Sequence, residues 1–180
     1  MRIIKEETVA VIVDVQERLF PHIHNSEQLS KNIQILIEGL KNLDVPIKVT
    51  EQYKKGLGET IAEIAGLVNN FPHSEKLAFS CCDEPTFMNL IENGKVKNVV
   101  LAGIESHICV MQTAIDLLDK GYRPVVIEDC VASRNPENKR IAINRLLQLG
   151  ITVTSYESLL FELCRYAGND AFKAISKLVK

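Results

Sequence analysis

The chain has 180 residues, of which 46% are hydrophobic, and its 21 basic and 23 acidic side chains give a formal charge of −2. This length and composition predict one globular domain over residues 1–180 with a sizeable core. The charges form no like-charge block, so neither nucleic acid nor a membrane surface is indicated as a partner. Because the sequence shows no cleavable leader and no apolar span of ~20 residues, we expect a cytoplasmic protein.

Short apolar, β-branched runs alternate along the chain with segments of helical periodicity. The runs lie at 8–13, 46–50, 97–101, 123–127 and 151–154, and most are nearly continuous, as in strands buried on both faces. Between them, apolar residues step by three and four at Leu29, Ile33, Leu36, Leu40 and Leu43, at Met111, Ala114, Ile115 and Leu118, and at Ala142, Leu146 and Leu149. The residues after Glu157 predict C-terminal helices.

Helix-ending residues agree with this alternation. Ser26 is expected to cap the first helix, and Gly121 and Gly150 follow the ends of two later ones. Repeated strand–helix–strand units predict an α/β fold with three α/β/α layers and a doubly wound, mainly parallel sheet. Residues 51–76 are less regular and predict a loop, a short helix and a loop that contribute to a pocket wall or a lid.

Ligands bind outside the carboxyl ends of the strands in such sheets, so the residues at those ends are the first candidates for a site. Asp14 directly follows the first apolar run, where it either acts chemically or caps a loop through Asx-type hydrogen bonds. Cys109 stands three residues after Ser106, a candidate helix N-cap. A thiol in that first turn would feel the positive helix end, which favours the thiolate; the alternative is a small residue that allows close packing. Lys76 taken alone fits a solvated side chain.

These three residues, in this order, resemble the isochorismatase-like cysteine hydrolases. The resemblance rests on VIVDVQERLF at 11–20, on Lys76 with the FS pair at 79–80, on GIESHICV at 103–110, and on EDCVASR at 128–134. It spans nearly the whole chain. The first and third motifs together are fairly specific, whereas the lysine segment is weak alone.

The resemblance implies a Cys-Asp-Lys triad in which Cys109 attacks the carbon, Asp14 transfers the proton and Lys76 balances the charge. The substrate would be a small amide, carbamoyl or related C–N compound, with a vinyl ether as a further option, and the intermediate a thioester-type adduct. The resemblance also implies a cis peptide between Ile104 and Glu105, with the amides of Glu105 and Cys109 in one oxyanion hole. It implies a homo-oligomer as well.

Six side chains are expected around the small-molecule substrate: Phe20, Glu51, Gln52, Tyr53, Phe79 and His107. Metal-dependent relatives carry an Asp-x-His pair after the second strand, where this chain has TEQY at 50–53, so we predict no metal site, no cofactor and a substrate other than nicotinamide. His22 and His24 form an H-x-H without a third ligand nearby and fit a surface loop better than a metal site.

Five cysteines, Cys81, Cys82, Cys109, Cys130 and Cys164, form no C-x-x-C pair, so neither a disulfide framework nor a zinc knuckle is indicated. Cys130 and Cys164 fit buried packing. Two alternatives to the hydrolase remain open at this stage. One is a catalytically silent binding or scaffold protein of the same fold, and the other is a redox sensor that uses the adjacent Cys81 and Cys82.

Overall fold

The computed structural model describes residues 2–92 and 94–180, and its centre is one six-stranded sheet in the order β3-β2-β1-β4-β5-β6. The strands are β1 (Thr8–Val13), β2 (Ile47–Gln52), β3 (His73–Lys76), β4 (Asn98–Ile104), β5 (Arg123–Ala132) and β6 (Thr152–Thr154). Every neighbouring pair runs parallel. Helices cover both faces, which confirms the predicted three-layer, doubly wound α/β fold.

The α-helices are α1 (Ser26–Asn42), α2 (Lys54–Leu57), α3 (Ala62–Val68), α4 (Pro85–Ile91), α5 (Met111–Asp119), α6 (Pro136–Gln148), α7 (Tyr156–Cys164) and α8 (Asp170–Leu178). Short 3₁₀ turns span Lys5–Glu7, Phe20–His22 and Cys81–Asp83, and a π turn spans Ser106–Val110. Gly121 and Gly150 follow α5 and α6 with positive φ, which confirms their predicted place after helix ends.

The sheet divides the core into two layers, because successive side chains of a strand point to opposite faces. Ala10 and Ile12 of β1 pack in one layer with α1, α3, α7 and α8. Val9, Val11 and Val13 pack in the other layer with α4, α5 and α6. All six residues of β1 are therefore buried, which explains why its sequence is apolar without alternation from Val9 to Val13.

Strand β1 pairs with β2 on one side and with β4 on the other, so the strand order reverses between β1 and β4. In a doubly wound sheet, the crevice outside the carboxyl ends at this reversal is the usual place for a ligand site. Asp14 directly follows β1, and Glu105 directly follows β4. The topology therefore brings the first and third sequence motifs together.

Three local predictions were wrong. The segment 51–76 contains the edge strand β3, whose sequence HSEK has no apolar residue and whose exposure alternates because successive side chains point to opposite faces. The N-cap of α1 is Asn25, in a left-handed conformation, and Ser26 is the first helical residue rather than the cap. The N-cap before the nucleophile segment is Glu105, not Ser106.

Candidate active site

Asp14 lies at the centre of the site and its carboxylate is almost fully buried. The residue has a positive φ of 51° directly after β1, and its N–H donates to the carbonyl of Thr50 at 3.1 Å. Its Oδ1 accepts a hydrogen bond from Thr50 Oγ1 at 2.7 Å, and its Oδ2 accepts one from Lys76 Nζ at 2.6 Å. Two neighbouring strands therefore fix the orientation of this carboxylate.

Lys76, the last residue of β3, is the ionic partner of Asp14 and is buried rather than solvated. Its Nζ also donates to the carbonyls of Ala78 at 3.2 Å and Phe79 at 3.1 Å. Burial alone would lower the pKa of Lys76, but the charge of Asp14 and the hydrogen bond with its carboxylate raise it above its usual value. The lysine therefore stays cationic inside the protein.

Cys109 lies in the π turn that precedes α5, with only 4% of its surface exposed. Its Sγ donates to Gln52 Oε1 at 3.1 Å. Burial raises the pKa of this thiol, and so does the charge of Asp14, whereas the charge of Lys76 lowers it. Burial and Asp14 therefore oppose the expected effect of the helix end, which favours the thiolate.

The end of β4, which leads into the turn that carries Cys109, packs closely against β1. The Ile104–Glu105 peptide bond is cis in the structure. Gly103 lies opposite Val13 in the sheet, and a Cβ at Gly103 would approach the Val13 carbonyl to 2.1 Å, so only glycine fits there. The buried Glu105 carboxylate accepts hydrogen bonds from the N–H of Arg134 at 3.0 Å and from its Nε at 3.1 Å. These contacts connect the ends of β4 and β5 beside the nucleophile.

Gln52 joins the site directly through its hydrogen bond with Cys109, and Gln16 fixes it from behind. Gln16 Oε1 accepts from the N–H of Gln52 at 2.8 Å, while Gln16 Nε2 donates to the carbonyls of Gln52 at 3.0 Å and Gly58 at 2.7 Å. Neither Gln16 nor Thr50 is among the site residues predicted from the sequence. The alternation of β2 could have identified Thr50, because it shares a face with Gln52.

The other predicted pocket residues have different surroundings. Tyr53 and Phe79 are half exposed, and both are hydrogen-bonded through their backbones to Lys76. His107 is partly buried, with its Nδ1 2.9 Å from Ser133 Oγ, and Phe20 packs partly buried against the α1 side of the core. Glu51 lies apart from this group, because its side chain leaves β2 on the face opposite to Thr50 and Gln52.

Glu51 instead belongs to a separate polar cluster. Its Oε1 accepts hydrogen bonds from the N–H and the Oγ1 of Thr60, both at 2.8 Å, and its Oε2 lies 3.3 Å from Lys54 Nζ. Burial would raise the pKa of Glu51, but the bonds from Thr60 and the charge of Lys54 lower it below its usual value. The arrangement anchors the segment after α2 to the sheet.

Within residues 2–92 and 94–180, no group of three or more His, Cys, Asp or Glu side chains is placed to hold a metal ion. His24 donates its backbone N–H to Ser133, and neither His22 nor His24 belongs to such a group. The same residues contain no helix that combines the length and the apolar character needed to cross a bilayer.

Comparison with known proteins identifies the family. The isochorismatase domain model matches residues 8–158. A secreted isochorismatase effector of Phytophthora sojae is 38% identical over 99% of this chain and 87% of its own length. Isochorismatase domain-containing protein 2 of Danio rerio is 34% identical over 99% of this chain and 89% of its own length.

Solved structures give the same result. The structure titled MAR1 ribonuclease from Caenorhabditis elegans is 33% identical, covers 99% of this chain and 92% of its own, and superposes with a TM-score of 0.93. The nicotinamidase PncA from Bacillus subtilis, 19% identical with a TM-score of 0.73 over 83% of this chain and 99% of its own, shares the fold. The chain therefore belongs to the isochorismatase family of hydrolases.

Proposed function

We propose that the chain is a cysteine hydrolase of a small, uncharged amide, carbamoyl or related C–N compound, with Cys109, Asp14 and Lys76 as its triad. The observation that carries the proposal is the buried Asp14 carboxylate, which pairs with the Lys76 ammonium at 2.6 Å and lies near enough to the Cys109 thiol to raise its pKa. A nucleophile, a proton acceptor and a fixed cation are the groups that covalent hydrolysis requires.

In the proposed reaction, Asp14 takes the thiol proton as the sulfur of Cys109 attacks the carbonyl carbon. The C–N bond then breaks, Asp14 returns the proton to the leaving amine, and a thioester remains on Cys109. Water attacks the thioester with Asp14 again as the base, which releases the acid and restores the thiol. The raised pKa of the Cys109 thiol fits this cycle, since proton transfer and attack would then occur together.

Lys76 has an electrostatic part in this cycle. Its positive charge offsets the negative charge that Asp14 and Cys109 share, and it stays charged throughout because its own pKa is raised. The oxygen of the tetrahedral intermediate would lie against the amides of Glu105 and Cys109. The pair of opposite charges leaves the site without net charge, which favours an uncharged substrate.

The exposed rings of Tyr53 and Phe79 next to the triad support a substrate with an apolar portion. Gln52 would orient its polar end. The expectations of a homo-oligomer, of a cytoplasmic location and of a reaction without metal or cofactor stay predictions. One family member is named a secreted effector, so the location is open to direct measurement by fractionation.

The chromogenic ester p-nitrophenyl acetate tests the nucleophile without knowledge of the natural substrate. We expect the wild-type protein to release nitrophenolate with an acetyl thioester on Cys109, seen by intact mass and peptide mapping. Cys109→Ala should abolish both signals. It should leave the unfolding midpoint nearly unchanged, because the substitution removes only one sulfur atom. Unchanged turnover in this variant would refute the proposal.

Two other functions are outcomes of the same experiment. The structural neighbour titled ribonuclease makes RNA a necessary counter-screen, although a formal charge of −2 supplies no excess of cations for a phosphate backbone. RNA cleavage that survives Cys109→Ala would favour that activity. Absence of any thioester, with the fold intact, would favour the catalytically silent binding or scaffold protein.

A further inference from the structure

We propose that Thr50 is a positioning residue of the active site, whose hydroxyl holds the Asp14 carboxylate in the orientation needed for proton transfer with Cys109. The inference rests on the proposed function, since it assigns a role through Asp14 as the base. Thr50 belongs to β2 and is completely buried.

Thr50 contacts Asp14 twice. Its carbonyl accepts the backbone N–H of Asp14 at 3.1 Å, and its Oγ1 donates to Asp14 Oδ1 at 2.7 Å. The other oxygen, Oδ2, is bound to Lys76 Nζ at 2.6 Å. With one oxygen held from β2 and the other from β3, the carboxylate plane cannot rotate. Loss of the Thr50 hydroxyl would leave only the lysine, about which the carboxylate can turn.

The direction of the Thr50 hydrogen bond follows from its neighbours. A carboxylate only accepts hydrogen bonds, so the single hydroxyl proton of Thr50 points to Asp14. The hydroxyl of Thr50 also has a second neighbour, since the sulfur of Cys81 lies 3.8 Å from Thr50 Oγ1. Burial raises the pKa of Cys81 to about 11, so this group stays protonated and donates weakly to Thr50. The two contacts form one chain from Cys81 through Thr50 to Asp14.

Packing alone does not account for a threonine at this position. Valine has nearly the same shape and would fill the same space in a buried strand, yet it lacks the donor. The side chains of Thr50 and Gln52 lie on one face of β2, where Thr50 binds the base and Gln52 binds the nucleophile. One strand end therefore supports both reacting groups of the proposed mechanism.

The test compares Thr50→Val with Thr50→Ser, using p-nitrophenyl acetate and the lifetime of the acetyl thioester on Cys109. Thr50→Val removes a hydrogen bond that holds the charged Asp14 carboxylate in place for hydrolysis of the thioester. Hydrolysis should therefore slow, and the lifetime of the thioester should lengthen about tenfold or more. Thr50→Ser keeps the hydroxyl but loses the methyl group, and should stay within about threefold of wild type. If Thr50 mattered only for packing, Thr50→Ser would be more impaired than Thr50→Val, because serine disturbs the packing more than valine does.

Combination with Asp14→Asn separates positioning from general damage. In that background, Thr50→Val should cause no further loss, since the carboxylate that it positions is gone. Thr50→Ala is the second variant if Thr50→Val does not fold, with the same expected impairment. Wild-type lifetime in Thr50→Val, or equal impairment of the serine and valine variants, would overturn the inference. Turnover that persists in Cys109→Ala would instead refute the proposed function and leave Thr50 without this role.

Discussion

Asp14 and Glu51 are two buried carboxylates at the carboxyl ends of neighbouring strands, and their partners are of the same kinds. Each accepts a hydrogen bond from a threonine and each pairs with a lysine. The difference lies in the surroundings. The lysine beside Asp14 is fully buried and a thiol lies close by, whereas the lysine beside Glu51 is 43% exposed. Residue type alone therefore does not separate a reactive carboxylate from a structural one.

The largest expected difference between the two carboxylates is in catalysis. Asp14→Asn removes the proton acceptor and should lower the hydrolysis of p-nitrophenyl acetate by roughly 10²–10⁴-fold, the usual contribution of a general base. Glu51→Gln removes a carboxylate that faces α3 and should leave the hydrolysis rate nearly unchanged. Steady-state rates of both variants measure the effect.

Correct folding of both variants, judged by their circular dichroism spectra, is the control for this comparison. Equal loss of activity in the two variants would contradict the division into a reactive and a structural carboxylate. It would instead indicate that the position of Tyr53, two residues after Glu51, limits the rate.

The two lysines should differ most in stability. Lys76→Met leaves the buried Asp14 without its ionic partner, which typically costs about 3–5 kcal/mol in the free energy of unfolding. Lys54→Met removes an ion pair open to solvent, for which about 0.2–1 kcal/mol is usual. Urea unfolding of both variants measures the difference. A similar midpoint for the two variants would show that the Asp14–Lys76 pair contributes little net stability.

How far the sequence predicts this site depends on the range of each interaction. The burial of β1, β4 and β5 appears directly in their apolar runs, so Asp14 and the turn with Cys109 could be placed at the sheet edge. Strand β3 could not be found, because HSEK has no apolar pattern. The burial of Lys76 therefore could not be predicted from its neighbours, and only the family resemblance singled it out.

Strand length explains the difference between Glu51 and its neighbours. The predicted run ended at residue 50, whereas β2 continues to Gln52. With the strand extended, alternation alone places Thr50 and Gln52 on one face and Glu51 on the other. The pKa of Cys109, by contrast, depends on desolvation and on the charges of Asp14 and Lys76, which are distant in sequence, and no local pattern contains that information.

Asp14 and Lys76 should also act on the Cys109 thiol in opposite directions. The negative charge of Asp14 raises the pKa of this thiol and the positive charge of Lys76 lowers it. Asp14→Asn should therefore speed alkylation of Cys109 by iodoacetamide at neutral pH even though turnover is lost, and Lys76→Met should slow it. Peptide mapping measures modification at Cys109 alone. Slower alkylation in Asp14→Asn would mean that Asp14 assists ionisation of the resting thiol.

The smallest expected effect is a pH dependence of stability that comes from Glu51. Its pKa is lowered in the folded protein by Thr60 and Lys54, against the opposing effect of burial. A lowered folded pKa contributes stability that is present above the unfolded value, ~4.3, and is lost as the pH falls through the folded value. At pH 7, Glu51→Gln should therefore be less stable than wild type by about 1 kcal/mol.

This difference between Glu51→Gln and wild type should shrink as the pH falls below ~4. Urea unfolding of both proteins across the acid range measures it. Thr60→Val provides a matched change on the partner side, since it removes one donor to the same carboxylate and should reduce the same pH-dependent part of the stability. A constant difference at every pH would assign the loss to packing around Glu51 rather than to its charge.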